Sequence, residues 1–210
     1  MSVRKLTNFD RMVDMYQPCD EPFADWLVSQ NFMIVGRYLD DLSLAEVDIY
    51  RQRKMGIIPF RTSRAPGWGP NATEGAADSA STAAKAMALG VENGTTIGCD
   101  LEGCAPTTAV VDAEAYCNEW PKLVLPNWEP MLYVGDSVIM TGPQLVALPG
   151  FGLYMRSCSL VPELECGYAL IQTRPGNVLV GPDGRKRLVD IDQPETDWHT
   201  PSRSATAWFP

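Results

Sequence analysis

The sequence is poor in the side chains that supply nucleophilic and zinc chemistry. It has one histidine, His199, in a segment rich in Thr, Pro and Ser, and none of its six cysteines forms a Cys-x-x-Cys pair. A Ser-His-Asp or Cys-His site would have to use that histidine, and a zinc site would lack its usual clustered ligands. We therefore expect no metal or other cofactor. We also expect reduced thiols, with a Cys99–Cys104 disulfide as the alternative.

Basic residues and long apolar runs are also scarce. The chain has 17 Lys and Arg against 26 Asp and Glu, a net charge of −9. This balance argues against nucleic-acid partners, which require a basic face, and against anionic membranes. No run of about 18 apolar residues is present, and the first residues lack the apolar core of a signal peptide. These features predict a protein made in the cytoplasm, without a membrane span.

The residues that are present suit a globular α/β protein. Of the 210 residues, 45% are hydrophobic and 20% are charged, which is enough to bury a core. Short apolar runs alternate with helical patterns, as in βαβ units. The strand-like runs are 12–15, 32–39, 57–61, 95–102, 131–134, 153–156, 168–172 and 188–192, and the helical patterns are 21–29, 43–54, 73–89, 112–120 and 142–148.

Eight strand-like runs in about 200 residues predict a single (β/α)8 TIM-type barrel. We assign residues 1–210 to this one domain, with 196–210 as a C-terminal tail. Few residues are available for helices between 157 and 187, so the late helices are expected to be reduced or missing. Alternatively, the segment around Pro182, Asp183 and Gly184 turns a β-hairpin.

Carboxylates fall at the predicted strand ends, where barrels of this type place their active sites. Asp14 ends the first strand, Asp100 and Glu102 end the fourth, and Asp190 ends the eighth with Asp192 beside it. Residues two apart on a strand point to the same side, so Asp100 and Glu102 can both face the mouth. The first and last strands are neighbours in a closed barrel, which should bring Asp14 close to Asp190.

Converging carboxylates can hydrolyse a glycosidic bond, because this reaction needs one protonated acid and one ionised carboxylate. Crowding raises the pKa of a carboxyl group and can keep one protonated near neutral pH. Glu102, with the longer side chain, is our candidate for the acid, and Asp100 and Asp190 would stabilise charge or orient a sugar substituent. The alternatives are helix caps or loop anchors and a divalent metal site.

Other residues near the strand ends are candidates for binding substrate: Arg37, Tyr38, Arg61, Trp68, Tyr133, Gln172, Asp192 and Trp198. The arginines could contact a lactyl or peptide carboxylate, or could pair with the acidic cluster, which we favour for Arg37. Trp68 and Trp198 could offer faces for sugar stacking, or could pack within their loops.

Five short motifs occur in an order that resembles glycoside hydrolase family 25: MVDMYQP, TIGCDLEG, MLYVG, GYALIQ and VDID. Members of that family are lysozymes of the Chalaropsis type, which cut peptidoglycan after N-acetylmuramic acid. The segments VGRYL and GIIPF also resemble a related group of glycoside-hydrolase-like domains of uncharacterised function. The resemblance extends from about Asp14 to Asp192. The family's tryptophans on the sixth strand and before Gln172 are missing.

The resemblance implies a barrel in which Glu102 donates the proton and Asp14, Asp100 and Asp190 support it, with Asp100 steering the sugar's acetamido group. Two functions follow as hypotheses. The first is a peptidoglycan hydrolase, an endolysin-like muramidase that reaches the cell wall through a holin, a phage particle or a secretion machine. The second is a non-catalytic virion or assembly component that binds glycan or protein on the same scaffold.

Overall fold

The computed structural model describes residues 2–61, 64–135, 139–194 and 204–210. The strands are β1 (Ser2–Lys5), β2 (Met12–Met15), β3 (Ile34–Tyr38), β4 (Gly56–Phe60), β5 (Thr96–Asp100), β6 (Glu129–Val134), β7 (Leu153–Arg156), β8 (Leu170–Val180), β9 (Lys186–Pro194) and β10 (Thr206–Phe209). The helices are α1 (Glu21–Ser29), α2 (Leu44–Gln52), α3 (Ala72–Leu89), α4 (Val110–Glu119), α5 (Pro121–Val124) and α6 (Gly142–Val146).

Eight of the strands, β2 to β9, close into a barrel. Their order around the ring is β4-β3-β2-β9-β8-β7-β6-β5, and a β5–β4 pairing completes the circle. The predicted barrel is therefore confirmed, and each predicted strand corresponds to one of these eight. The reduction of the late helices is confirmed too, because no helix lies between β7 and β8, a stretch that the structure describes in full.

The last strand of the ring runs in the opposite direction to the one expected. β9 pairs antiparallel with both β2 and β8, so the hairpin alternative is correct and the expected parallel strand is wrong. The physical reason is the short connection, since a parallel crossover needs a dozen or more residues. The turn is set by Gly184, at φ +73°, and by Asp183, whose side chain accepts a hydrogen bond from the Arg185 N–H.

The early helices form where capping residues start and stop them. Ser43 caps α2 by accepting a hydrogen bond from the Glu46 N–H. Asn71 caps α3 in the same way at Glu74, and Gly90 ends that helix in the left-handed conformation. Among the described residues, no helix combines the length and the apolar composition needed to cross a membrane.

Apolar side chains form two layers, one inside the barrel and one between the barrel and its helices. The inner layer includes Met12, Ile58, Phe60, Met131 and Met155. The outer layer includes the buried faces of α1 to α4 and the opposite sides of the same strands. Alternation along each strand therefore decides whether a side chain faces the barrel axis or the helices.

The floor of the barrel is completed by β10. This strand pairs antiparallel with β1 and, through Trp208, with β4. Thr206 binds the start of β5: its N–H donates to the Thr96 hydroxyl at 2.9 Å, and its own hydroxyl donates to the Gly94 carbonyl at 2.6 Å. The only register pair between β4 and β5 themselves in the described residues is Phe60 with Gly98. β10 thus fills the lower part of the β4–β5 seam.

All six cysteines lie in the described residues and are free thiols, so Cys99 and Cys104 are not paired. Four of the six are buried, and Cys158 and Cys166 are exposed.

Candidate active site

The four predicted catalytic carboxylates meet at the mouth of the barrel. Asp14 on β2 is the direct register partner of Asp190 on β9. Asp100 is the last residue of β5, and its carboxylate accepts a hydrogen bond of 2.8 Å from the Glu102 N–H. The charges of Asp190, Asp100 and Glu102 all act on Asp14. Four acidic groups from distant parts of the sequence therefore share one electrostatic environment.

This environment favours the protonated form of the aspartates. Burial raises the pKa of Asp14 to about 7, and the charge of neighbouring Asp190 contributes to the increase. Burial also raises the pKa of Asp100 to about 7. The pKa of Asp190 is raised by burial as well, although the Gly176 N–H donates to its carboxylate and opposes the shift. Protons are thus available at this site near neutral pH.

Asp192 does not lie at the mouth, and the prediction that it contacts substrate there is wrong. Because β9 runs antiparallel, the chain descends into the barrel after Asp190, and Asp192 pairs with Met12 two residues below Asp14. Its side chain is completely buried, and its carboxyl group shares a hydrogen bond with that of Asp14. Burial and the nearby Asp14 raise the pKa of Asp192 well above its ordinary value.

The loop after β4 holds the backbone around Glu102. The Trp68 indole N–H donates to the Glu102 carbonyl at 2.8 Å, and the Gly67 N–H donates to the Gly103 carbonyl at 2.8 Å. The Trp68 ring packs edge-on against Tyr116, with ring centroids 5.3 Å apart. The structure therefore favours the packing interpretation of Trp68 over sugar stacking.

Gly135, a residue that sequence reasoning missed, provides the space for the Glu102 side chain. It follows β6 directly, and a Cβ atom added there would lie 2.7 Å from Oε1 and 2.8 Å from Cδ of Glu102. The Glu102 carboxyl group thus rests against bare backbone. In the sequence, the available signal was a glycine directly after a predicted strand. Such a glycine does not show which side chain packs against it in the folded protein.

Under the hydrolase hypothesis drawn from the sequence, Gly135→Ala is expected to displace the Glu102 carboxyl group and to lower the rate about 10²-fold, because a shift of about 1 Å in a reacting group can have that effect. Wall-clearing rates measured alongside thermal unfolding would separate displacement from unfolding. Gly69→Ala is the matched control, since nothing lies within 4 Å of its added Cβ. An unchanged rate in Gly135→Ala would show that Glu102 does not need its present position.

Arg37 does not face the mouth, so its predicted contact with substrate is wrong, whereas the contact of Arg61 with substrate stays a prediction. On β3, Gly36 and Tyr38 face the barrel axis, which turns Arg37 toward the helices. Arg37 is completely buried, and its Nε donates to Glu46 Oε1 of α2 at 2.7 Å. Arg37 is therefore paired, but not with the acidic cluster at the mouth.

Arg61 lies just beyond β4 and pairs with two aspartates outside the barrel. It donates to Asp78 of α3 at 2.6 Å and forms a second ion pair with Asp40. These two ion pairs hold the Arg61 guanidinium group between helix α3 and the loop that follows β3. An acidic substituent on the substrate would have to compete with these carboxylates.

A cleft of about 340 Å³ opens beside Glu102 and Asp190. It is lined by Glu102, Tyr133, Ser157, Cys158, Ser159, Gln172, Gly176, Leu188 and Asp190. Tyr133 and Gln172 were expected at the mouth, and the Tyr133 hydroxyl lies 3.5 Å from the Gln172 side-chain oxygen. Ser157 and Ser159 were missed, although they follow β7 and the strand-end rule applies to them. The cleft offers short polar groups suited to hydroxyl and amide recognition.

Tyr38 on β3 faces the barrel axis. It lies on the opposite side of Asp14 from β9 and the cleft. Burial, followed by the charges of Asp100 and Asp14, raises the pKa of Tyr38, so its hydroxyl stays protonated. Its ring stacks on that of Tyr16, with centroids 4.4 Å apart and planes 9° apart. Tyr16 was missed because it lies one residue beyond the predicted strand end. Trp198 and His199 lie outside the described residues.

The raised pKa values predict how stability depends on pH. Asp100 has an ordinary pKa of 3.8 and a folded-state pKa of about 7, so the folded protein binds the extra proton and this stabilisation is lost as pH rises from about 4 to 7. Asp100→Asn, which resembles the protonated acid, should therefore unfold less readily than wild type at pH 8. The difference between the two pKa values of Asp100 corresponds to about 4 kcal/mol, and we expect about half of it, on the order of 2 kcal/mol, because the amide reproduces the protonated acid only in part. Thermal unfolding of the two proteins at pH 8 and at pH 3 measures this gain.

At pH 3 the two proteins should have nearly equal stability, since Asp100 is then mostly protonated in both folded and unfolded states. Asp25→Asn is the control of opposite sign, because the hydrogen bond from Arg53 holds the pKa of Asp25 below its ordinary value. That variant should lose stability at pH 8. A destabilised Asp100→Asn at pH 8 would contradict the protonation assigned to the site.

Within residues 2–61, 64–135, 139–194 and 204–210, no group of three His, Cys, Asp or Glu side chains has the arrangement of a metal site.

No protein-family model matches the sequence, and no curated protein matches it. Solved structures share the fold. An uncharacterised protein from B. stearothermophilus aligns with a TM-score of 0.70 and 12% identity, over 89% of this chain and 96% of that one. A family 25 glycosyl hydrolase from Bacillus anthracis aligns with a TM-score of 0.60 and 13% identity, over 90% of each chain.

The modular autolysin LytC from Streptococcus pneumoniae, solved with a synthetic peptidoglycan ligand, aligns with a TM-score of 0.58 and 12% identity. The alignment covers 87% of this chain but only 46% of the autolysin, so the present chain spans about half of that protein. At these identities the similarity concerns the fold, and it confirms the barrel that the family 25 resemblance implied.

Proposed function

We propose that this chain is a glycoside hydrolase that cleaves bacterial peptidoglycan in the manner of a muramidase. The observation that carries the proposal is the convergence of Asp14, Asp100, Glu102 and Asp190 at one open mouth. Structural caps would be expected to accept hydrogen bonds at helix entries. Three of these groups instead lie on the inward faces of strands, and two have a pKa of about 7.

The geometry suits proton donation from Glu102 to the glycosidic oxygen. Glu102 lines the cleft and its backbone is fixed by Trp68, so its carboxyl group has a defined position relative to a bound sugar. The carboxylates of Asp14 and Asp190 would stabilise the positive charge that develops on the sugar ring. Asp100, ionised in part near neutral pH, would accept a hydrogen bond from an acetamido N–H and orient that group.

Two observations support peptidoglycan as the substrate class. The cleft of about 340 Å³ falls within the range of small-ligand sites, and its serines, Gln172 and Tyr133 can bind hydroxyl and amide groups. Proteins with the same fold include one solved with a peptidoglycan ligand. Delivery through a holin, a phage particle or a secretion machine stays a prediction.

Purified cell walls provide the test. Incubation with the protein should clear a wall suspension and release fragments with N-acetylmuramic acid at the reducing end, which borohydride reduction followed by mass spectrometry identifies. N-acetylglucosamine at the reducing end would assign the protein to the other glycan linkage of the wall. Absence of any new reducing end would exclude hydrolysis.

A non-catalytic role in glycan binding is the second candidate. One observation favours it: Trp120, Trp128 and Trp208 are buried in the apolar core, and the ring of the partly buried Trp68 is in contact with Tyr116 and Arg64. A protein of this kind would sediment with cell walls without releasing fragments. The same incubation, analysed for pelleted protein and for soluble products, separates the two candidates.

A further inference from the structure

We propose that Asp192 is a positioning residue, which donates a hydrogen bond to Asp14 from inside the barrel and holds Asp14 in its ionised form at the mouth. The inference rests on the proposed hydrolysis, in which the Asp14 carboxylate stabilises positive charge on the sugar ring. It goes beyond that proposal by giving a role to a buried acid that does not reach the substrate. It is drawn from strand register, from burial and from the hydrogen bonds of the two groups.

The register of β2 and β9 brings the two side chains together. Asp14 lies opposite Asp190 and Asp192 lies opposite Met12, so Asp192 is a diagonal neighbour of Asp14. Diagonal neighbours on one face of an antiparallel pair are about 7–8 Å apart along the backbone, a gap that two side chains can bridge. Met12 belongs to the inner layer, and residues opposite it or two apart from it point the same way. Both carboxyl groups therefore face the barrel axis, where they share a hydrogen bond.

Bare backbone encloses Asp14 on the side away from β9. Gly36 on β3 is the direct register partner of Asp14, and a Cβ atom added to Gly36 would lie 2.6 Å from the Asp14 Cβ. The close contact with Gly36 limits the sideways movement of the Asp14 side chain. The hydrogen bond with Asp192 then limits the rotation of the Asp14 carboxyl group.

A proton must lie between Asp14 and Asp192, because two carboxylates offer only acceptors. Asp192 is completely buried, and apart from Asp14 no described residue is hydrogen-bonded to either of its carboxyl oxygens. Asp14 is only partly buried and lies nearer the open mouth. Ionisation therefore costs less at Asp14, so Asp192 keeps the proton and donates the hydrogen bond.

The electrostatic surroundings favour this distribution of the proton. Burial, followed by the charge of Asp14, raises the pKa of Asp192 well above its ordinary value. Burial also raises the pKa of Asp14 to about 7, and the hydrogen bond from Asp192 opposes that increase. Without Asp192, Asp14 would therefore keep its proton to higher pH. The other polar groups that face the pair are the acids Asp100, Glu102, Asp190, Tyr38 and Tyr133 and the uncharged Gln172, the register partner of Asp192.

Carbon-13 NMR of the aspartate carboxyl groups tests the proposal without substrate. The Asp14 signal, identified by its loss in Asp14→Asn, is titrated from acid to alkaline pH in wild type, Asp192→Leu and Asp192→Asn. Leucine has no donor, so the pKa of Asp14 should rise by about one unit in Asp192→Leu. Asparagine keeps an N–H donor, so Asp192→Asn should hold the pKa of Asp14 near its wild-type value.

Thr82→Val is the matched control for the NMR titration. Thr82 is completely buried in α3, and its hydroxyl has no hydrogen-bond partner among the described residues, so its replacement should leave the pKa of Asp14 unchanged. An unchanged pKa of Asp14 in Asp192→Leu would overturn the proposal. An equal increase in Asp192→Asn would also overturn it, because the hydrogen-bond donor would then have no effect.

The pH dependence of wall clearing connects this role to hydrolysis. At about pH 6, a rise of one unit in the pKa of Asp14 leaves about one tenth as much of its ionised form, so Asp192→Leu should clear walls about 10-fold more slowly than wild type, with nearly equal rates at about pH 9. An equal loss at both pH values would indicate a purely structural role and overturn the proposal. Thermal unfolding of each variant shows that a slower rate is not a loss of fold.

The two measurements separate this inference from the proposed function. If the wild-type protein released no fragments at any pH, the proposed hydrolysis would fail. The NMR titration would still decide whether Asp192 holds Asp14 in its ionised form. If walls were cleared but the pKa of Asp14 did not depend on Asp192, the hydrolase proposal would stand and the role of Asp192 would be overturned.

Discussion

Glu102→Gln is expected to lower the rate of wall clearing about 10³-fold, which corresponds to about 4 kcal/mol of transition-state stabilisation. The amide has nearly the same shape as the acid but has no proton to give to the leaving oxygen. Because Glu102 rests against Gly135 and its backbone is held by Trp68, the replacement should keep its position. The rate of fragment release from purified walls measures the effect, and wall binding should persist.

Glu165→Gln is the matched control for this experiment. Glu165 is an exposed carboxylate in the connection between β7 and β8, so the same chemical change there should leave the rate within about 2-fold of wild type, as surface substitutions usually do. If Glu102→Gln cleared walls nearly as fast as wild type, Glu102 would not be the acid. Asp14, with a pKa of about 7, would then be the next candidate.

Glu46→Ala is expected to destabilise the protein by about 3–5 kcal/mol, because it leaves the buried Arg37 charge without its partner. The loss extends beyond the ion pair. The Tyr50 hydroxyl donates to Glu46 Oε1 at 2.6 Å and the Cys19 N–H donates to it at 3.1 Å, so two further buried donors lose their acceptor. Urea unfolding at pH 7 measures the change as a lower midpoint with an unchanged slope.

Asp48→Ala on the same helix provides the comparison. Asp48 pairs with Arg51, and both side chains are largely exposed to solvent. Exposed pairs of this kind contribute at most about 1 kcal/mol. Similar losses in the two variants would mean that α2 itself, and not the buried pair, determines the effect.

The positions of the strands could be predicted because each one is a short apolar run between turn residues. The direction of β9 was left open between a parallel strand and a hairpin, because the alternation of Arg187, Leu188, Val189 and Asp190 is the same in either direction along a sheet. What decides the direction is the length of the connection, and the turn at Gly184 is too short for a crossover. Asp192 was misplaced for this reason alone.

Side-chain direction explains the other differences between the predicted site and the site in the structure. Asp14 and Asp100 could be placed from sequence because a strand end defines the mouth. Arg37 is also near a strand end, but a shift of one residue turns a side chain from the barrel axis to the helices. The role of Gly135 depends on the close approach of Glu102 in space, which no local pattern contains.

The strand that seals the floor also affects how the chain is made. Thr206 binds Thr96, 110 residues earlier in the sequence, so during synthesis β4 and β5 leave the ribosome long before β10 can reach them. Until then the lower part of the seam between β4 and β5 is open, and unpaired strand edges of this kind associate readily with other chains. Chaperone demand should therefore continue until β10 has been translated.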